Sequence, residues 1–214
     1  MMNDEKSISI EKPIQLIVEG KDERLFFDRL IKDLRLPKIQ ILPIGGKTKL
    51  KRNLKALVKS PGFDNVTSLA IVRDANSNHN SAFQSVCNAL SAVNLPSPES
   101  PLMSVGDRPQ ITVMIMPGDN SPGMLEDLCL KALAETPEDP ALMCIRQYFD
   151  CLQQRLSQFG LPFPRSKSKS MVQAFLASKE KFVKCLGEAA QKRYWPFDKS
   201  AFDEVKNFLR GINI

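Results

Sequence analysis

The residues best placed for chemistry are acids at the ends of β-rich runs. Glu19 directly follows Leu16, Ile17 and Val18, and precedes Gly20, Lys21, Asp22 and Glu23. Asp74 follows the run Leu69 to Val72 and Arg73, and leads into Ala75 and Asn76. Beyond a fourth run, Asp119 is followed by Gly123, then by Glu126 and Asp127 at a helix start. With no thiolate or imidazole nearby, such an oxygen-rich set suits Mg²⁺ or Mn²⁺. Mg²⁺ keeps several waters and takes one or two carboxylates plus substrate phosphate, so a sparse set suffices. The alternative is that these acids cap the following helices and favour their N-termini. Asp22, Glu23 and Asp127 fit that role. Glu19 and Asp74 fit it less well, because their placement holds a carboxylate at the rim of a sheet.

The elements that must position these acids follow from hydrophobic periodicity. Residues 14–19, 39–44, 68–72 and 111–116 predict strands. Helical spacing predicts helices over 21–34, 48–59 and 79–93, with another resuming near Met124. Pro96, Pro98, Pro101 and Pro109 predict an irregular connection. This is the βαβα pattern of an open, mainly parallel four-stranded α/β sheet, Rossmann-like and flanked by helices. In such a sheet ligands lie beyond the carboxyl ends of the strands, where three of the four deliver acids. After residue 135 only helices are expected, over 138–159, 168–179 and 198–210. One domain is expected over 1–214, with an α/β core at 10–135 and a helical C-terminal part at 136–214.

Composition narrows the function classes. The chain has 214 residues, 43% hydrophobic and 25% charged, which excludes a wholly disordered chain. His79 is the single histidine, which argues against Ser-His-Asp and Cys-His chemistry and His-rich metal sites. Cys87, Cys129, Cys144, Cys151 and Cys185 lack metal-ligand spacing and are expected to be reduced core thiols within helices. No window is long and apolar enough for a membrane span, and the polar start lacks the apolar stretch of a signal peptide. A cytoplasmic protein is therefore expected.

The net charge of +6 permits an anionic partner without demanding one. No acid occurs between Asp33 and Asp64, while Lys47, Lys51, Lys55 and Lys59 do, the last three at helical spacing. Arg165, Lys167 and Lys169 form a second cluster. With Lys21 at the rim, Lys47, Lys51, Lys55 and Arg165 are candidate nucleic-acid contacts. The alternative for Lys51, Lys55 and Lys59 is a solvated helix face. Gly45, Gly46, Lys47 and Thr48 imitate the end of a P-loop, but the required earlier glycine is Ile41, so a nucleotide hydrolase is not expected. Phe26, Phe27, Phe175, Phe182, Phe202 and Phe208 are expected in the core, and Trp195 beside Tyr194 is expected to pack rather than stack on bases.

Val18 to Glu23, followed by Phe26 and Phe27, resembles the first motif of the TOPRIM domain. The run Leu69 to Val72 leading to Asp74, Ala75 and Asn76 resembles its DxD motif, with the second acid replaced by an amide. The chain as a whole resembles a stand-alone TOPRIM-like group of unknown function, related to the overcoming-lysogenization-defect nucleases. That likeness is carried by Gly45 to Lys47, Gly123 to Asp127, Lys167 to Lys169 and Trp195 to Asp198.

The resemblance implies one-metal or two-metal phosphoryl transfer, with Mg²⁺ or Mn²⁺ as cofactor. Glu19 would bind metal or act as general base, and Asp74 would be the principal ligand. Asn76, Glu126 and Asp127 would complete the set, and Lys167 or Lys169 would place a positive charge by the scissile phosphate. The expected activity is hydrolysis of nucleic-acid phosphodiesters, with DNA and RNA both open. The alternative is a catalytically degenerate module that binds nucleic acid or a protein partner. No topoisomerase tyrosine domain, primase zinc module or ATPase is recognisable, so those activities are not expected.

Overall fold

Short apolar runs rich in Ile, Val and Leu become strands in the computed structural model, which describes residues 9–135 and 137–212. Strand β1 (Ile14–Val18) is buried along its whole length, as expected of a strand covered on both faces. It pairs in parallel with β2 (Ile39–Pro43) and with β3 (Ser68–Asp74), and β3 pairs in parallel with β5 (Gln110–Met116). A two-residue strand, β4 (Ser104–Val105), runs antiparallel to β5, giving the order β2-β1-β3-β5-β4.

The sheet is thus α/β and mostly parallel as expected, but it has five strands instead of four. The addition lies in the segment expected to be irregular, where two residues between proline-rich flanks are too few to show a period. The Ser104 and Thr112 hydroxyls pair across it at 2.7 Å.

Helices α1 (Lys21–Leu34), α2 (Leu50–Leu57) and α3 (His79–Ser91) alternate with the first strands, and α4 (Leu125–Ala134) follows β5. Then come α5 (Pro140–Gln158), α6 (Lys167–Ala177), α7 (Leu186–Gln191) and α8 (Asp203–Gly211). The predicted spans match closely except for α7, whose six residues are too few to show helical periodicity. Local capping explains several starts. Asn78 accepts from the Ser81 amide at 2.8 Å, and Asp139 accepts from the Ala141 amide at 2.8 Å beside Pro140 at the first turn of α5.

Alternating side chains divide the core between the two faces of the sheet. Leu16, Val18, Ala70, Val72, Met114 and Met116 join α1 and the helices from α4 onwards. Ile17, Leu69, Ile71, Ile111, Val113 and Ile115 join α2 and α3. The C-terminal helices therefore share a core with the sheet. Trp195 is buried there, stacked on Phe175 at 5.1 Å, and its indole N–H donates to the Leu186 carbonyl. No described helix is long and apolar enough to cross a membrane.

Three core expectations need correction. Phe182 is 69% exposed, in the irregular stretch before α7. Cys144 and Cys151, seven residues apart, lie on the exposed face of α5, while Cys87 and Cys129 are buried. Cys185 is half-buried and stands at the cap of α7, outside a helix.

Candidate active site

Parallel pairing makes β1, β3 and β5 end at one edge, so Glu19 and Asp74 arrive there together. The start of α4 is brought to the same place by a small bridge. Asn76 and Gly123 exchange both backbone hydrogen bonds at 2.7 Å, tying the loop after β3 to the loop before α4. The amide of Leu125, in the first turn of α4, then donates to Asp74 Oδ1 at 3.1 Å.

Four carboxylates converge: Glu19, Glu23, Asp74 and Glu126. Burial, followed by repulsion from Glu19, Glu126 and Glu23, pushes Asp74 up to about 8, against the opposing pull of the Leu125 amide. Glu23 and Glu126 are also raised, in each case chiefly by burial. Glu19, Glu23, Arg73 and Asp74 line a cleft of about 10 Å³, walled by Phe27 and Leu125. That is the scale of a single bound water.

Arg73 is the cation of this cleft, and sequence inspection had assigned it nothing. Its Nε lies 3.8 Å from Glu19 Oε1, and both atoms are buried without a hydrogen-bond partner. Its Nη1 reaches Ser85 Oγ at 3.4 Å. Its place immediately before Asp74, at the end of an apolar strand, was the available signal.

The other acids have structural duties. Asp127 accepts the Met124 amide at 2.8 Å through one oxygen and the Ser168 hydroxyl through the other, so it caps α4 and ties it to α6. Asp22 accepts the Gly187 amide at 2.9 Å, joining α1 to α7. A side chain at Gly187 would meet the Asp22 carbonyl at 2.5 Å, so the two helices touch closely there. Asp119 is exposed and pairs with Lys131 at 2.6 Å. Asn76 is exposed with φ +53°, and its amide nitrogen turns towards the Asp74 carbonyl at 3.3 Å.

Among the basic candidates, the geometry separates Lys169 from Lys167. Lys169 Nζ lies 3.9 Å from Glu126 Oε1, whereas Lys167 Nζ lies 3.8 Å from Asp150 on α5. Lys21 and Arg165 are exposed, and Lys51 and Lys55 are exposed opposite the buried Leu50, Leu54 and Leu57 of α2. Helix α2 packs on the other face of the sheet from α1 and α4. Lys47 begins a 3-10 turn after Gly46, whose amide donates to the Glu19 carbonyl at 2.8 Å, so this backbone runs beside the acids. The Lys47 side chain lies outside what is described.

The donors are all oxygens, which fits a hard divalent cation. Among the described residues, no three His, Cys, Asp or Glu side chains stand at ligating distance as a group. The fit is therefore to the sparse form, in which one or two carboxylates share the ion with water and phosphate.

Residues 13–213 match the family described as "Protein of unknown function (DUF3226)". No curated protein and no solved structure matches the chain.

Proposed function

The chain belongs to the DUF3226 family, whose description assigns no activity, and from its resemblance to TOPRIM domains and the carboxylates at its sheet edge we propose a TOPRIM-like phosphodiesterase that uses Mg²⁺ or Mn²⁺ to hydrolyse nucleic acid. One observation carries this reading: four carboxylates from β1, α1, β3 and α4 crowd the carboxyl edge of the sheet, and their mutual repulsion helps hold Asp74 near 8. Caps alone need no such crowding. A cation at Asp74 and Glu19, with Glu126 beside them, would relieve it.

When bound, the ion would supply positive charge that polarises the phosphate. Glu19, with an unpartnered buried oxygen, accepts the proton of the attacking water. Arg73 sets positive charge beside Glu19, and Lys169 adds charge beside Glu126 from α6. The Leu125 amide keeps Asp74 oriented. The apolar walls limit competing water.

The second reading is a degenerate TOPRIM-like module that binds nucleic acid or a protein partner. The exposed Asn76 in place of a second acid, with its amide nitrogen turned to the Asp74 carbonyl, favours it. Hydrolysis of bis(p-nitrophenyl) phosphate with Mn²⁺, compared among wild type, Glu19→Gln and Asp74→Asn, tests between them. Activity lost in both variants is expected. A wild type that shows neither turnover nor Mn²⁺ binding, alone or with oligonucleotide present, would leave the binding-module reading.

A further inference from the structure

A groove of about 670 Å³ runs between α1 and β2, the open edge strand of the sheet. Arg24, Asp28 and Ile31 line it at intervals of four and three residues, one stripe along α1, and Arg35, the left-handed residue that caps the helix, lines its far end. The charges on this stripe are unevenly used. Asp28 is held by Lys32 at 2.8 Å and by the Gln191 amide at 3.1 Å. Lys12 Nζ donates to the Ile39 carbonyl at 3.1 Å. Arg24 and Arg35 have no side-chain hydrogen bond or ion pair among the described residues, and both are exposed. Glu11, the remaining acid of the groove, stands against two unpaired guanidinium groups.

The groove also has direction. Arg24 lies in the first turn of α1, so it marks the end of the groove nearer the carboxyl edge of the sheet. Arg35 lies eleven residues further on, about 16 Å along the helix axis. The floor is apolar, with the exposed Pro37 and half-buried Ile41 beside the buried Ile31, Leu36 and Ile39. Pro43 removes a donor from the edge strand, which disfavours an added peptide strand there.

We propose that this groove binds a single strand of nucleic acid, with Arg24 and Arg35 holding phosphates and Pro37 and Ile41 meeting unpaired bases, and so leads the strand towards the carboxyl edge of the sheet. Single strands are favoured because their base faces are free to lie on an apolar floor, whereas a duplex offers mainly phosphates to one helix face. Guanidinium groups suit the task through their planar, bidentate donors. The inference rests on the reading of the cleft as a phosphodiester site, but binding in the groove needs no metal.

The test is fluorescence anisotropy of a labelled single-stranded oligonucleotide in EDTA across a salt series. The Arg24→Gln/Arg35→Gln double variant should bind about tenfold more weakly at about 50 mM salt, and its salt slope should fall by about 1.4, the value for two lost phosphate contacts. Arg24→Lys/Arg35→Lys should recover much of the loss. Arg155→Gln/Arg210→Gln, an equal charge change on α5 and α8, should stay near wild type. Equal weakening by both Gln doubles would reduce the effect to net charge and overturn the proposal, as would a wild type that binds no single strand. If polyglutamate binding depends on these arginines and oligonucleotide binding does not, the groove holds an acidic polypeptide and the proposal fails. Hydrolysis of bis(p-nitrophenyl) phosphate, too small to need the groove, reports separately on the cleft and should be unchanged in the Arg24→Gln/Arg35→Gln variant.

Discussion

Glu19 Oε1 and Arg73 Nε face each other 3.8 Å apart at the carboxyl edge of the sheet, both buried and neither hydrogen-bonded. The pair neutralises charge without satisfying either of these two atoms, since 3.8 Å is too long for a hydrogen bond. The cleft beside these two half-buried side chains is on the scale of one water, which could bond both atoms. Asp74, next to Arg73 in sequence, remains without a cation of its own and is raised accordingly.

Removing Arg73 should cost stability as well as function. Arg73→Met leaves Glu19 as a half-buried carboxylate without its counter-charge, a loss of about 1–3 kcal/mol. Because the two residues form one pair, Glu19→Gln/Arg73→Met should be less destabilised than the sum of the single variants. Urea unfolding of the four proteins measures this. Strictly additive losses would show that the pair is not coupled.

The elevated Asp74 carboxyl makes stability depend on pH. Its folded value is about 8 against an ordinary value of 3.8. Below pH 4 folded and unfolded chains are both protonated, and the stabilising contribution is fully present. Between about pH 4 and 8 the unfolded chain has released this proton while the folded protein keeps it. Stability of the metal-free protein should therefore fall with rising pH across that window, by at most about 1.4 kcal/mol per unit. Asp74→Asn should flatten the slope. Identical pH profiles for variant and wild type would contradict the assignment.

Divalent metal should raise the melting temperature through preferential binding to the folded state. Mn²⁺ titration followed by thermal shift should show a rise that Glu19→Gln and Asp74→Asn abolish. Asn76→Asp should enlarge it, because a second acid adds charge to the site and aspartate tolerates the left-handed backbone found there. An Asn76→Asp protein with unaltered Mn²⁺ response would place residue 76 outside the ion's reach.

The two candidate lysines should differ in turnover. Lys169→Ala removes a charge 3.9 Å from Glu126 and should lower turnover of bis(p-nitrophenyl) phosphate about tenfold or more. Lys167→Ala removes a partner of Asp150 on α5 and should have little effect. The reverse order would relocate the phosphate to the α5 side.

Glu19 and Asp74 were legible as rim acids because apolar runs ending in a carboxylate place it at a strand end, a local property of the sequence. The alternating elements, most helix spans and the parallel sheet were legible for the same reason: hydrophobic period and breakers act over a few residues. Strand β4 and helix α7 escaped because two residues span one strand period and six fewer than two helical turns, too short for a pattern to repeat.

What each acid does was decided only in three dimensions. Asp127 and Asp22 carry the same carboxylate as Asp74, yet partners 41 and 165 residues away in sequence turn them into ties between helices. Lys169 and Lys167 differ by two positions in sequence, but on a helix that spacing sends them to different neighbours. Arg73 gained its meaning from Glu19, 54 residues earlier, through the pairing of β1 with β3. The sequence by itself determined which groups reach the edge of the sheet, since period and punctuation are local. Only the tertiary structure decided which are buried, paired or left unsatisfied, since charge and desolvation depend on neighbours that are distant in the chain.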